Sequence, residues 1–272
     1  HFPPVPDELC LNKLDNPFKV PLYFFQIQTV RGVYIMKVTY VGHSSFFIEW
    51  PECIWLFDYY EGTLPGIPED KPLFIFVSHF HADHFNSAIF RLQAPAGTHY
   101  ILSHDVIRHR KPKFLPENLY TMRPDELLTL RAGSETFQIH TLRSTDFGVA
   151  FLIRFHEKWV YHAGDLNWWV WKEESRQYNN NMTANFKKYT RPLLGLDLYA
   201  AFLPLDPRQE EWYDKGMLYI LENTRTSHAF PMHFWKDYSV TDRFLASPQG
   251  APYEEQIVKI NHENETFIFD DL

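Results

Sequence analysis

Cysteine is nearly absent: the 272 residues include only Cys10 and Cys53, and neither belongs to a CxxC pair. That excludes a disulfide framework and a thiolate zinc site, and it suits a reducing cytoplasm. Long apolar runs are missing too. The most apolar early stretch, 20–36, is interrupted by Gln26, Gln28, Arg31 and Gly32; it is too polar to span a bilayer, and no signal peptide is evident. Only 11 glycines are present, and they form neither GxGxxG nor the GxxxxGK of a phosphate loop. No GxSxG elbow appears, which argues against a serine nucleophile of that kind. Positive charge is in deficit: 26 Lys and Arg against 34 Asp and Glu leave a net charge of -8. Extended nucleic-acid binding is therefore not expected, and the basic run 108–113 reads as a solvated loop.

Aromatic and apolar residues, in contrast, are plentiful. Hydrophobic residues make up 45% of the chain and aromatics 17%, ample for a packed core and suited to a ligand cleft. The opening 1–35 has Pro at positions 3, 4, 6, 17 and 21 and no period, and reads as an N-terminal extension of unknown role or a processed remnant. A domain is expected over 36–272. Short β-branched or aromatic runs at 37–40, 44–50 and 53–57 predict an antiparallel meander, and the unbroken run 73–78 (LFIFVS) predicts a strand buried on both faces. A helix is expected over 85–92, a strand at 100–103 and a short helix at 104–110. A second strand series follows at 126–130, 135–142, 149–155 and 159–162, then a long helix over 168–189. The remainder reads as a strand at 199–203, a helix over 210–223, a strand end at 228–233, a helix over 240–245, and a hairpin of 256–260 with 265–269. Two strand-rich halves with helices outside them predict an α/β (α+β) fold, a four-layer αββα sandwich of two mixed sheets flanked by helices.

The strongest chemical signal is Ser78-His79-Phe80-His81-Ala82-Asp83-His84, an HxHxDH cluster directly after the buried run. Four imidazole or carboxylate groups in six residues suit zinc, iron or manganese. On an extended loop His79 and His81 project to one side, while Asp83 and His84 can turn to a second position, so one loop can serve two ions. The ordinary alternative is a set of hydrogen-bonded histidines in a chain that has 14 of them. Spacing and placement after a strand favour metal.

At these residues the chain resembles the metallo-β-lactamase-fold superfamily. His162-Ala163-Gly164-Asp165 is similar to the strand-Gly-Asp element whose Asp bridges two metals. Pro231-Met232-His233 resembles the late loop that supplies the last His. Gly42-His43-Ser44-Ser45 and Phe57-Asp58 resemble the opening hairpin of the branch with sugar-phosphate lactonases and phospholipase D-like members, rather than the true β-lactamases. The resemblance implies His79 and His81 on one metal, Asp83, His84 and His233 on the other, and Asp165 between them. The chain departs from the pattern at the remaining ligand of the first metal, because the loop Arg143-Ser144-Thr145-Asp146-Phe147-Gly148 lacks a His. Asp146 is preferred there, with His140 as the alternative, since ligands of the family lie on loops at strand ends.

The expected activity is that of a metal-dependent hydrolase. Two divalent ions, zinc first and manganese or iron next, would supply a bound hydroxide to cleave an ester, lactone or phosphodiester in a small substrate, anionic ones included. Asp83 or Asp165 would orient the water, and His43 or His228 would protonate the leaving group. Asp58 is expected to accept a ring N–H from a ligating His. Asn167, Trp168 and Trp169 either line the cleft mouth or pack under the following helix, which itself could cap the cleft. The competing classes are an iron-dependent oxidoreductase of the same fold and a metal-binding protein without turnover.

Overall fold

The computed structural model describes residues 35–110 and 115–270. The expected extension 1–35 lies outside the described residues apart from Ile35, as do positions 111–113 of the basic run.

The meander forms as read. β1 (Ile35–Gly42), β2 (Ser45–Glu49) and β3 (Ile54–Phe57) are antiparallel neighbours, followed in parallel by β4 (Leu73–Val77), β5 (Thr98–Ser103) and β6 (Leu119–Met122). The unbroken apolarity of β4 has a direct cause. Phe74 and Phe76 point into the sandwich against Phe137 and Phe151, whereas Leu73, Ile75 and Val77 enter a second apolar cluster with Phe85, Ile89 and Val106. That outer cluster lies beneath α1 (His104–Arg110), which packs on β5 and β6.

The second sheet begins with antiparallel β7 (Leu127–Ala132), β8 (Glu135–Arg143), β9 (Val149–Phe155) and β10 (Lys158–His162). It continues in parallel with β11 (Asp197–Pro204) and β12 (Arg225–Met232). Its outer face carries α3 (Lys215–Asn223), packed on β11 and β12. Aromatic rings fill the space between the sheets: Phe46 lies 4.5 Å from Phe202, and Trp55 lies 5.5 Å from both Phe137 and Phe155. The layers are therefore helix, mixed sheet, mixed sheet, helix.

Four expectations need correction. The helix over 168–189 starts only at α2 (Arg176–Tyr189), where Ser175 caps it by accepting the Tyr178 N–H; 168–174 is a loop held partly by Gln209 and Asn179 side chains. The helix over 210–223 is shortened to α3, because Glu210 takes a left-handed φ of 53°. The helix over 85–92 is a single 3-10 segment, Ser87–Arg91, capped by Asn86. The terminal hairpin does not form: β13 (Thr266–Asp270) pairs with β1 instead, and Ile257 makes one parallel bridge to Ala229. α4 (Ser239–Leu245) follows the expected 240–245, and β6 had no expected counterpart.

The sheets meet tightly where β4 ends. Val149 N–H donates to the Ser78 carbonyl at 2.9 Å, and Gly148 beside it has a φ of 66°. A Cβ on Gly148 would sit 2.0 Å from the Ser78 carbonyl oxygen and 2.8 Å from His79 Cβ. Gly148→Ala is therefore expected to destabilise the fold by about 2–4 kcal/mol, from overpacking plus the left-handed conformation. Urea unfolding checks this; a loss under about 0.5 kcal/mol would show that the junction yields.

Candidate metal centre

Parallel strands leave their C-terminal ends at one edge of a sheet, and the loops there converge in an open crevice. In this chain the ends of β3, β4, β10, β11 and β12, the β1–β2 turn and the β8–β9 loop all open on the same side. They deliver two groups of potential ligands: His79, His81, Asp146 and Asp165 in one, and His43, Asp83, His84 and His233 in the other. Within each group the donor atoms lie within 4.8 Å of one another. Asp165 faces both groups. Its Oδ1 is 3.1 Å from His84 Nε2 and 3.4 Å from His233 Nε2, while its Oδ2 is 3.5 Å from His79 Nε2. His81 Nδ1 stands 3.1 Å from Asp146 Oδ2.

Hydrogen bonds behind the rings fix which nitrogen points inward. His84 Nδ1 donates to Asp58 at 2.8 Å, and His233 Nδ1 donates to Asp206 at 2.9 Å. His79 Nδ1 donates to Ser78 Oγ at 2.9 Å, and that hydroxyl donates to Asp58 at 2.6 Å. Each ring thus turns Nε2 toward the centre, as ligating histidines do. His43, Asp58 and His233 all adopt left-handed φ values, of 52°, 43° and 63°. Such conformations are costly for residues other than glycine and collect at functional sites.

Among the described residues, His43 Nε2, His84 Nε2, His233 Nε2 and Asp165 Oδ1 are buried and make no well-formed hydrogen bond, although each lies 3.1–3.4 Å from an oppositely charged or polar neighbour in the cluster. Each such atom costs about 1–3 kcal/mol unless something meets it. Four that converge are what a cation requires, so the donor set fits divalent metal.

The electrostatics follow from this crowding. Burial pushes His79 down to about 3, aided by His84, so it is neutral at pH 7. Burial opposes charge on His84 as well, but the Asp165 and Asp58 carboxylates win and hold it well above the ordinary imidazole range. Asp165 is the converse: His84, His233 and His79 overcome its burial and hold its carboxyl well below the usual range. Burial and the neighbouring Asp165 raise Asp146.

The beta-lactamase superfamily domain family matches residues 37–180, more than half of the chain. The chain belongs to this superfamily. A UPF0173 metal-dependent hydrolase of Desulforamulus reducens is 29% identical over 141 residues, which cover 48% of this chain and 62% of that protein. The chain spans less than two thirds of the length of the curated relatives it matches. In structure it is similar to Igni18, a metallo hydrolase from Ignicoccus hospitalis (TM-score 0.59, 17% identity, 86% of this chain and 98% of that one). It is also similar to CmlA, a diiron beta-hydroxylase from Streptomyces venezuelae (TM-score 0.53, 12% identity, 89% and 55%). Both likenesses are of fold alone.

Within this superfamily fold the predicted site residues divide cleanly. His79, His81, Asp83, His84, Asp146, Asp165 and His233 are brought together, and Asp58 lies behind His84. His140 is a member of neither group; it sits within β8 against Trp159. His228 is misplaced as a proton donor. It lies five residues before His233 on β12, about 16 Å along a strand, with its ring 4.1 Å from Phe269. Asn167 and Trp168 do not line the cleft either: Asn167 binds Gln209, and Trp168 donates to Thr183 and packs on Phe186. Trp169, expected with them, does line it. It lines a cleft of about 240 Å³ with Trp171, Tyr178, Met182 and Arg208, its ring 5.4 Å from His233. The long insertion therefore does flank the cleft, through Tyr178 and Met182 of α2. Asp206 was missed, although Leu205-Asp206-Pro207 directly after a buried strand is the signal that could have found it. A larger cavity, about 490 Å³ at the far end of β11 and β12, holds none of the predicted residues.

A pH dependence follows from His84. In the metal-free protein at pH 7 it keeps a proton that a cation at Nε2 must displace, so binding releases about one proton and strengthens as pH rises. Calorimetry of zinc binding in buffers of different ionisation enthalpy measures that release. None at pH 7 would show that His84 is not a donor.

Proposed function

We propose that the chain is a metal-dependent hydrolase whose centre holds two divalent ions, zinc first and manganese or iron next, and cleaves an ester, lactone or phosphodiester of a small anionic molecule. The observation that carries this reading is Asp165, which offers one carboxylate oxygen to each of two groups rich in histidine. His79, His81 and Asp146 would hold one ion and Asp83, His84 and His233 the other, with Asp165 between them. Divalent ions held by these residues would supply Lewis acidity, lowering the pKa of a bound water toward neutral and polarising the attacked oxygen.

The chain's own residues do the rest. Asp83 and Asp165 both line the cleft, where a carboxylate orients the attacking water and takes its proton. Asp58 and Asp206 hold the His84 and His233 rings in register. Trp169 and Trp171 wall the cleft and limit access of bulk water. Arg208 is the one Lys or Arg among the described residues lining it. Its Nε lies 3.0 Å from Asp206 and its guanidinium carbon 4.5 Å above the Trp235 ring, a preorganised point for a substrate carboxylate or phosphate. That the curated relatives are metal-dependent hydrolases supports hydrolysis. We place the activity in 36–272, with 1–35 as an extension, and in the cytoplasm; among the described residues no helix is long and apolar enough to cross a membrane.

The test is a panel of phosphodiesters, including bis(p-nitrophenyl) phosphate, together with aryl esters and lactones, assayed on zinc- and manganese-restored protein. Hydrolysis that chelator abolishes, and that falls about 100-fold or more in His84→Ala, supports the assignment. Turnover indifferent to both would overturn it, and oxygen consumption by iron-loaded protein would turn the reading to the iron-dependent oxidoreductase of the same fold. For any anionic substrate found, Arg208→Gln is expected to raise KM about 10-fold or more and leave a neutral lactone unaffected. Equal effects on both substrates would deny Arg208 that role.

A further inference from the structure

The two ligand groups differ in how far they are sunk into the protein. In the outer group the His81 and Asp146 side chains are 35% and 33% exposed. In the inner group His43, His84 and His233 are 3%, 0% and 3% exposed, Asp83 is 28% exposed, and of these four Asp83 and an edge of His233 line the cleft. One member of the inner group, His43, has no ligand role in the sequence pattern or in the two-ion assignment proposed above, although it converges with the others. His43 lies in the β1–β2 turn after Gly42, held there by its left-handed φ and by its carbonyl, which accepts the His233 N–H at 3.2 Å. Its ring is 4.2 Å from the His233 ring, 4.4 Å from Trp235 and 5.6 Å from His84. Nε2 is buried, lacks a hydrogen-bond partner and approaches Asp83 Oδ2 at 3.4 Å.

A leaving-group acid must reach the substrate, and His43 does not line the cleft. What its Nε2 does face is the convergence of Asp83, His84 and His233. We propose that His43 is a metal donor, completing with Asp83, His84, His233 and Asp165 Oδ1 a closed inner site of five donor atoms. The outer site, built from His79, His81, Asp146 and Asp165 Oδ2, stays open to solvent and substrate. Closed sites retain their ion, and sites with an open position do the chemistry. The inner ion is therefore the tightly held one and the outer ion the exchangeable one. This inference rests on the dinuclear reading above.

The test loads the full chain with cobalt(II) and follows cobalt per chain and its visible absorption during stepwise dialysis against a weak chelator. The variants are His43→Gly, which relaxes the left-handed backbone instead of straining it, and Asp146→Ala. Wild type is expected to release one equivalent early and hold the second. His43→Gly should hold the second at least about 10-fold more weakly, with retention restored by added imidazole, while Asp146→Ala loses only the early equivalent. Circular dichroism of the metal-free variants checks that both are folded. If folded His43→Gly keeps its inner ion as wild type does, or imidazole restores nothing, the donor role of His43 is wrong and the dinuclear reading survives. Wild type that takes up no cobalt overturns both.

Discussion

The site depends on a few carboxylate-to-imidazole hydrogen bonds buried where the two sheets come together. A histidine ring is useful to a cation only if one nitrogen is aimed at it, and aim is costly to hold in a loop. Asp58 and Asp206, both fully buried, supply it by accepting from the far side of His84 and His233. Asp58 is itself held by the Ser78 N–H and hydroxyl, which ties the β3 and β4 ends to the same point. Much of the surrounding architecture serves this aim. The Phe57 ring stacks on His162 at 4.7 Å, and His162 Nε2 donates to the Ser44 carbonyl, so the β1–β2 turn and the β10 end are fastened to one another.

The buried charges of this centre are poorly balanced in the absence of a cation. Without a cation, His84 and Asp165 offset one another, and several inward-facing atoms are left without partners. That balance is poor on its own, because burying polar groups costs more than the ion pair returns. Divalent ions would turn the same cost into binding energy. On this account metal is part of the folded state's stability as well as its chemistry.

How much of this was legible in the sequence varied with how local the determining interactions are. The β4 run and the histidine cluster could be read because burial on both faces and ligand spacing are written in consecutive residues. α1 was read to its ends for the same reason. The terminal hairpin failed because alternation in 265–269 reports a half-buried strand, not its partner, and Thr266 pairs with Thr39 far earlier in the chain. The long helix failed at its start, since the Trp-rich 168–171 resembles a buried helical face while the true cap, Ser175, comes later. Among candidate site residues, those in motifs converge in the structure. Asp206 and the position of His43 were not legible, because each acquires meaning only when β1, β11 and β12 bring their ends together. His228 looked as good as His43 in sequence, and only its place in mid-strand separates them.

The central claim is that this cluster holds two divalent ions. Plasma mass spectrometry on the 272-residue chain purified without chelator or added metal, with a parallel sample reconstituted with zinc, tests it most directly. The account predicts about two equivalents per chain in the reconstituted protein. No bound metal in either sample would contradict it, leaving the fold without the chemistry assigned to it.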